Sequence, residues 1–152
     1  MTYVWDTNIL LFSLRSTAFF EQLNNKYYFF EPQNQTIISS VTIGEIHAIG
    51  LRNRWGPKRW DELFLLLKKL KNFPVTDNDV LIKMYAEIDV YSQGQHPELK
   101  LPKSAHKMGK NDLWIAATAA VHTATLISTD YDFDHLDGVF IYFEKVIMPG
   151  IK

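Results

Sequence analysis

Cysteine is absent from the 152 residues, which excludes disulfide scaffolding, thiolate metal ligands and cysteine nucleophiles. An excess of one charge is lacking too. Sixteen basic residues face 17 acidic ones, for a net charge of −1, so a wholly basic nucleic-acid binder is not indicated and only a local basic patch remains open. No apolar run reaches the roughly 18 residues that a bilayer-spanning helix needs, so no membrane association is expected. The opening Met1-Thr2-Tyr3-Val4-Trp5-Asp6 has no basic stretch ahead of an apolar one, and no secretory signal is expected from it. Internal repeats, low-complexity tracts and long linkers are missing as well. What is present is 47% hydrophobic and 14% aromatic residues, too apolar for disorder and enough to bury a core. One domain over residues 1–152 is expected, and the missing cysteines and signals suit the cytoplasm.

Along the chain, short β-branched or apolar runs alternate with helical patterns. Strands are expected at Thr2–Trp5, Thr36–Ser39 and Thr125–Ser128, with a brief one at Phe73–Thr76 and a last one at Val139–Phe143. Helices are expected at Ile9–Leu14, from Thr42 to Asn53 before the Gly56-Pro57 break, and at Trp60–Leu70. A further helix follows a cap at Asp77 or Asn78, with Leu81, Met84, Tyr85 and Ile88 on its buried face. An alanine-rich helix opens at Asn111 or Asp112 and runs to about His122, its small side chains allowing close approach to a sheet. Tyr27–Phe30 reads as a helix end or an edge strand, and 92–110 as a long polar surface loop. Strands separated by helices point to an α/β fold with a mostly parallel sheet, whose site lies beyond the carboxyl ends of the strands.

That edge is where acidic residues fall. Asp6 follows the first strand and Asp130 the Thr125–Ser128 strand. Glu45 is expected in the first turn of the helix after Thr36–Ser39, and Asp112 at the start of the alanine-rich helix. Each also has a plain structural reading. Asp6 and Asp112 are good helix caps, Thr42-Ile43-Gly44-Glu45 fits a capping box, and Asp130 sits in an aspartate-rich turn. Capping does not require all four at one end of one sheet. Carboxylates gathered closely cannot all stay ionised without a counter-charge. A divalent cation supplies it, and oxygen-only ligands suit Mg²⁺ or Mn²⁺. The chemistry that fits is phosphodiester hydrolysis, in which the ion activates water and screens charge on phosphate.

Four ordered segments carry a family resemblance: Asp6-Thr7-Asn8-Ile9-Leu10-Leu11, Ser39-Ser40-Val41-Thr42-Ile43-Gly44-Glu45-Ile46, Asn111-Asp112-Leu113-Trp114-Ile115-Ala116-Ala117-Thr118-Ala119 and Leu126-Ile127-Ser128-Thr129-Asp130-Tyr131-Asp132-Phe133. The chain resembles the PIN-domain ribonucleases, especially the VapC-type toxins of bacterial toxin–antitoxin pairs. The resemblance implies a three-layer α/β/α sandwich and an acidic pocket binding Mg²⁺ or Mn²⁺. It implies an RNA substrate, an antitoxin partner and a homodimer. It assigns catalysis and metal binding to Asp6, Glu45, Asp112 and Asp130. Supporting roles go to Asn8, Ser128 and, as an outer acid, Asp132. Asp6, Asp112 and Asp130 are expected to hold one or two ions directly, with Glu45 as ligand or water-orienting group.

Two basic stretches are candidate phosphate contacts. Arg52, Arg54, Lys58 and Arg59 are interleaved with Trp55 and Trp60, and Lys100, Lys103, His106, Lys107 and Lys110 lead up to Asp112. Cation plus aromatic suits single-stranded RNA, although the first stretch also reads as a solvated helix face with its tryptophans in the core. The five histidines are scattered and expected to be structural or exposed. Most of the aromatic residues between Phe19 and Phe30 are expected in the core, with some forming a groove for a partner. Competing readings are a catalytically silent binding module of the same fold, a non-toxin housekeeping nuclease, and a phosphate-accepting receiver domain. The last is disfavoured by the missing Asp-x-Asp pattern.

Overall fold

A computed structural model describes residues 1–148 apart from Asp77. Five parallel strands form one sheet in the order β3-β2-β1-β4-β5, with β1 Thr2–Trp5, β2 Gln35–Ser39, β3 Lys71–Phe73, β4 Thr125–Ser128 and β5 Tyr142–Lys145. Six α-helices cover it: α1 Thr7–Arg15, α2 Thr17–Tyr27, α3 Ser40–Arg52, α4 Pro57–Leu67, α5 Asp79–Ser92 and α6 Lys110–Val121. A 3-10 helix spans Tyr131–Leu136. Parallel strands need crossover helices, and those helices bury both faces of the sheet. The result is the three-layer α/β/α sandwich, with every described strand pairing parallel.

The alternation along β1 divides the core. Val4 faces a cluster containing Leu81 and Ile88 of α5 with Leu113 and Ala116 of α6. Tyr3 and Trp5 face the opposite cluster, with Ile9 and Leu10 of α1, Phe19 of α2, Ile46 of α3 and Leu63 of α4. Ala116, Ala117 and Ala119 are fully buried, as their small size predicts for a helix lying close on a sheet. No helix among the described residues is long and apolar enough to cross a membrane.

Several boundaries differ from the sequence expectation, each for a local reason. Of the two readings of Tyr27–Phe30 the helix end holds, since α2 ends at Tyr27; its earlier extent from Thr17 was not expected, although Phe19, Leu23 and Tyr27 are its buried stripe and Ser16 caps it by accepting from the Phe19 amide. The aromatic density there obscured a four-residue period. Tyr28 ends α2 in the left-handed conformation (φ 54°), so Phe29 and Phe30 turn into the core and form no edge strand. The helix expected at Trp60–Leu70 begins at Pro57, which supplies its fixed φ at the first turn. The strand expected at Phe73–Thr76 is Lys71–Phe73, paired to Ile37–Ser39. Asn78 caps α5 through the Val80 and Leu81 amides, and the alternative cap Asp77 lies outside the described residues. The last strand is Tyr142–Lys145, not Val139–Phe143. Gly138 (φ 73°) turns the chain there, leaving Ile141 buried and joined to Asp137 by an isolated bridge.

The 92–110 segment is a loop, but not one wholly at the surface. Met108 is buried, and the His106 amide donates to the Ser92 carbonyl. The Oγ of Ser92 lies 2.6 Å from Nε2 of His135 and 3.2 Å from Sδ of Met108. Burial, helped by the neighbouring His106 and Lys103, lowers the His135 pKa to about 4. The neutral imidazole therefore ties the end of α5 to the 3-10 helix. Met84 packs on the α5/α6 cluster and Met148 on the opposite one.

Phe29 is the hub of the aromatic cluster, with ring centroids 5.1 Å from Tyr3 and Trp5 and 5.2 Å from Tyr27. Phe29→Ala is expected to lower unfolding free energy by about 3–5 kcal/mol in urea denaturation. A loss under about 1 kcal/mol would contradict this packing.

Candidate active site

Parallel pairing puts the ends of β1, β2 and β4 at one edge, because Trp5 stands opposite both Ile38 and Ile127. Asp6 follows Trp5 directly, its amide donating to the Ile127 carbonyl. It is only 5% exposed. Its Oδ1 accepts from the Thr7 amide at 2.7 Å and so caps α1, while its Oδ2 accepts from the Ser128 hydroxyl at 2.7 Å. Asp6 therefore caps α1, as its structural reading expects, while its other oxygen turns to Ser128. Ser128 Oγ also accepts from the Asp130 amide at 3.0 Å, so one serine sets the geometry of two acids 124 positions apart in the chain.

The capping-box reading of Glu45 fails. Ser39 is the N-cap of α3, accepting from the Val41 amide. That places Glu45 in the second turn instead of the first. Its Oε1 accepts from the Thr7 hydroxyl at 2.7 Å. Asp112 caps nothing either: α6 starts at Lys110 behind Gly109, with no side-chain cap bond. A Cβ on Gly109 would lie 3.2 Å from Oδ2 of Asp112, so the glycine leaves that carboxylate room. Asp130 caps the 3-10 helix, Oδ1 accepting from the Asp132 amide.

The tightest grouping is Asp112, Asp130 and Asp132, which each offer an oxygen within 4.8 Å of the others. Among the described residues it is the one such group. Asp132, expected as an outer acid, thus stands with the central pair. Asp6 is close enough to Asp112 to raise its pKa but stands outside that trio, its oxygens accepting from the Thr7 amide and the Ser128 hydroxyl. Asn8 is half-buried in the first turn of α1, and no hydrogen bond joins it to the acids among the described residues. Thr7 and Gly109 escaped the sequence reading. Thr7 lies inside the Asp-Thr-Asn segment, but only the fold shows its hydroxyl reaching a residue 38 positions away.

The charges feel one another. Burial raises the Asp6 pKa to about 6, with Glu45 and Asp130 adding to it against the bonds from Ser128 and Thr7. Burial raises Asp112 to about 7, and the charges of Asp6, Asp130, Glu45 and Asp132 push the same way. Near neutral pH the pocket therefore holds back a proton that a divalent cation would displace. Oxygen-only donors at chelating separation fit a hard cation such as Mg²⁺ or Mn²⁺.

Of the basic candidates, Lys110 is exposed at the first position of α6, two residues before Asp112, and Lys107 is exposed just ahead of it. Arg52 and Arg54 are exposed at the other end of α3. The helix carries Arg52 roughly 10 Å along its axis from Glu45. Trp55 and Trp60 pack on each other, with ring centroids at 5.4 Å, and Trp60 also packs on His47, so they join the core. Arg59 donates to the Leu14 carbonyl and pairs with Glu62.

The sequence matches the PIN domain family over residues 3–139. The chain belongs to the PIN domain family. Solved structures share its fold at low identity. The VapBC2 complex of Rickettsia felis, bound to a DNA fragment from its promoter, contains a chain 20% identical (TM-score 0.70), covering 95% of this chain and 98% of that one. VapBC-1 of nontypeable Haemophilus influenzae is 18% identical, with TM-score 0.72 and the same coverages. VapBC-5 of Mycobacterium tuberculosis is 23% identical with TM-score 0.61, again at 95% and 98%. No curated protein matches the sequence.

The raised Asp112 pKa carries a stability consequence for this PIN domain. Between about pH 4 and pH 7 the folded state binds more protons at Asp112 than the unfolded chain, so stability falls as pH rises through that window. In cation-free buffer, Asp112→Asn is expected to raise the melting temperature by a few degrees above pH 7 and to change it little near pH 4. Thermal unfolding across pH checks this, and a less stable variant above pH 7 would contradict it.

Proposed function

We propose that this PIN domain is a divalent-cation-dependent endoribonuclease, the toxin of a toxin–antitoxin pair acting in the cytoplasm. The observation that carries the reading is the Asp112–Asp130–Asp132 grouping, whose oxygens lie within 4.8 Å beside a buried Asp6. Asp112, Asp130 and Asp132 would hold Mg²⁺ or Mn²⁺ most directly. Asp6 and Glu45, oriented by Ser128 and Thr7, complete the negative wall and would add to the pull on a divalent cation. When bound, the ion activates a water and screens charge growing on the phosphate. Glu45, outside the trio and held by the Thr7 hydroxyl, would act as the acceptor that orients an attacking water; products with a 5′-phosphate and a 3′-hydroxyl are what the family resemblance implies. Lys107 and Lys110 bring positive charge to the rim, where a phosphate backbone would approach the acids.

RNA as substrate follows from the resemblance in the four acidic segments. An antitoxin partner is supported by the likeness to chains found in VapBC complexes, and a homodimer follows from the family resemblance alone.

Purified chain incubated with single-stranded RNA and Mg²⁺ is expected to cleave it, and EDTA to stop cleavage. Asp112→Asn is expected to reduce the rate roughly a hundredfold or more while remaining folded by circular dichroism. Equal rates for wild type and variant would overturn the assignment.

A further inference from the structure

The aromatic rings of this chain are mostly inside it, and the exceptions are informative. Among the described residues four aromatic side chains are exposed: Tyr28 at the end of α2, Phe64 on α4, Tyr142 at the start of β5, and Tyr131. Tyr131 is the most exposed of them, at 73%. It is also the one at the acidic edge, set between Asp130 and Asp132 at the first position of the 3-10 helix. Exposing a ring forgoes the burial that organises the other aromatics, and no packing partner in the core explains its place.

The ring is nevertheless held. Nζ of Lys145 sits 3.8 Å from its centroid, a cation–π contact. The same ammonium donates to both oxygens of Asp134, at 3.1 and 2.9 Å. Lys145 is itself fixed as the last residue of β5, in register with Ser128. One face of the ring is thus covered by a cation anchored to the sheet, and the residue remains largely open to solvent. Its backbone position is locked by the cap that Asp130 gives the Asp132 amide.

Resting on the ribonuclease reading above, we infer that Tyr131 is the stacking platform for a nucleobase next to the phosphate being cut. The residue stands between two of the acids that would face that phosphate. An aromatic face accepts any base, so the contact fixes the strand's path and not its sequence. Lys145 presets the ring from one face and adds positive charge there. The residue makes no contact with the reacting atoms, and its contribution is to binding.

The test uses the full chain carrying Asp112→Asn, with Mg²⁺, so that binding is read without cleavage. The probes are a fluorescently labelled mixed-sequence single-stranded RNA and a matched strand of abasic ribose-phosphate units. Adding Tyr131→Ala is expected to weaken RNA binding about five- to a hundredfold by fluorescence anisotropy, and Tyr131→Phe to change it by less than about twofold. On the abasic strand, Tyr131→Ala and its parent are expected to bind alike. Unchanged RNA affinity in Tyr131→Ala, or a loss that persists on the abasic strand, overturns the stacking role. If wild type cleaves RNA in Mg²⁺ while either of those results is obtained, the ribonuclease reading stands and stacking alone falls. If wild type neither binds nor cleaves RNA, both fall.

Discussion

The burial of several carboxylates together at one edge of the sheet is the constraint that the rest of this structure accommodates. Burial and the like charges held close by both raise proton affinity here: Asp112, with its pKa near 7, is pushed up first by burial and then by the charge of four other acids. Such an arrangement opposes folding in the absence of a counter-ion. It persists because the scaffold around it is rigid. Asp6 and Asp130 are oriented by a single serine hydroxyl, Glu45 by the Thr7 hydroxyl, and the backbone of each segment is continuous with a buried strand or helix.

That rigidity comes from ordinary packing. Both sheet faces are covered, one by α5 and the alanine-rich α6, the other by α1 to α4 and a dense aromatic cluster. Parallel strands all deliver their following residues to the same edge, so Asp6, the start of α3 and Asp130 meet there without special loops. The 3-10 helix bearing Asp132 is secured from three sides. His135 ties it to Ser92 of α5, Lys145 pairs with Asp134, and Asp130 caps its first turn. Loops at the edge can then carry polar chemistry while the strands beneath them do not move.

The strands β1, β2 and β4 were legible because short β-branched runs ended in turn or cap residues, and with them the edge at which the acids gather. The roles of the acids were less legible one by one. Thr42 to Glu45 had the spacing of a capping box, yet α3 starts earlier at Ser40, because Ser39 at the strand end captures the cap. Asp112 looked like a cap and is a third-position residue behind Gly109, whose missing side chain makes space for it. Thr7 and Ser92 could not be recognised from local spacing, since their hydroxyls act on partners far along the chain. The helix α2 was hidden by aromatic residues whose bulk fits helix, strand or core equally well. The pairing of arginines with tryptophans near Trp55 was a composition signal alone, and packing sends the rings inward.

The most direct test is the carboxyl ¹³C chemical shift of Asp112, followed against pH by NMR in cation-free buffer and again with Mg²⁺. A metal-free midpoint near 7 that drops by more than a unit when Mg²⁺ is added is the predicted result. A midpoint near the ordinary aspartate value of 3.8, indifferent to Mg²⁺, would contradict the claim that these acids share one charged pocket built for a cation.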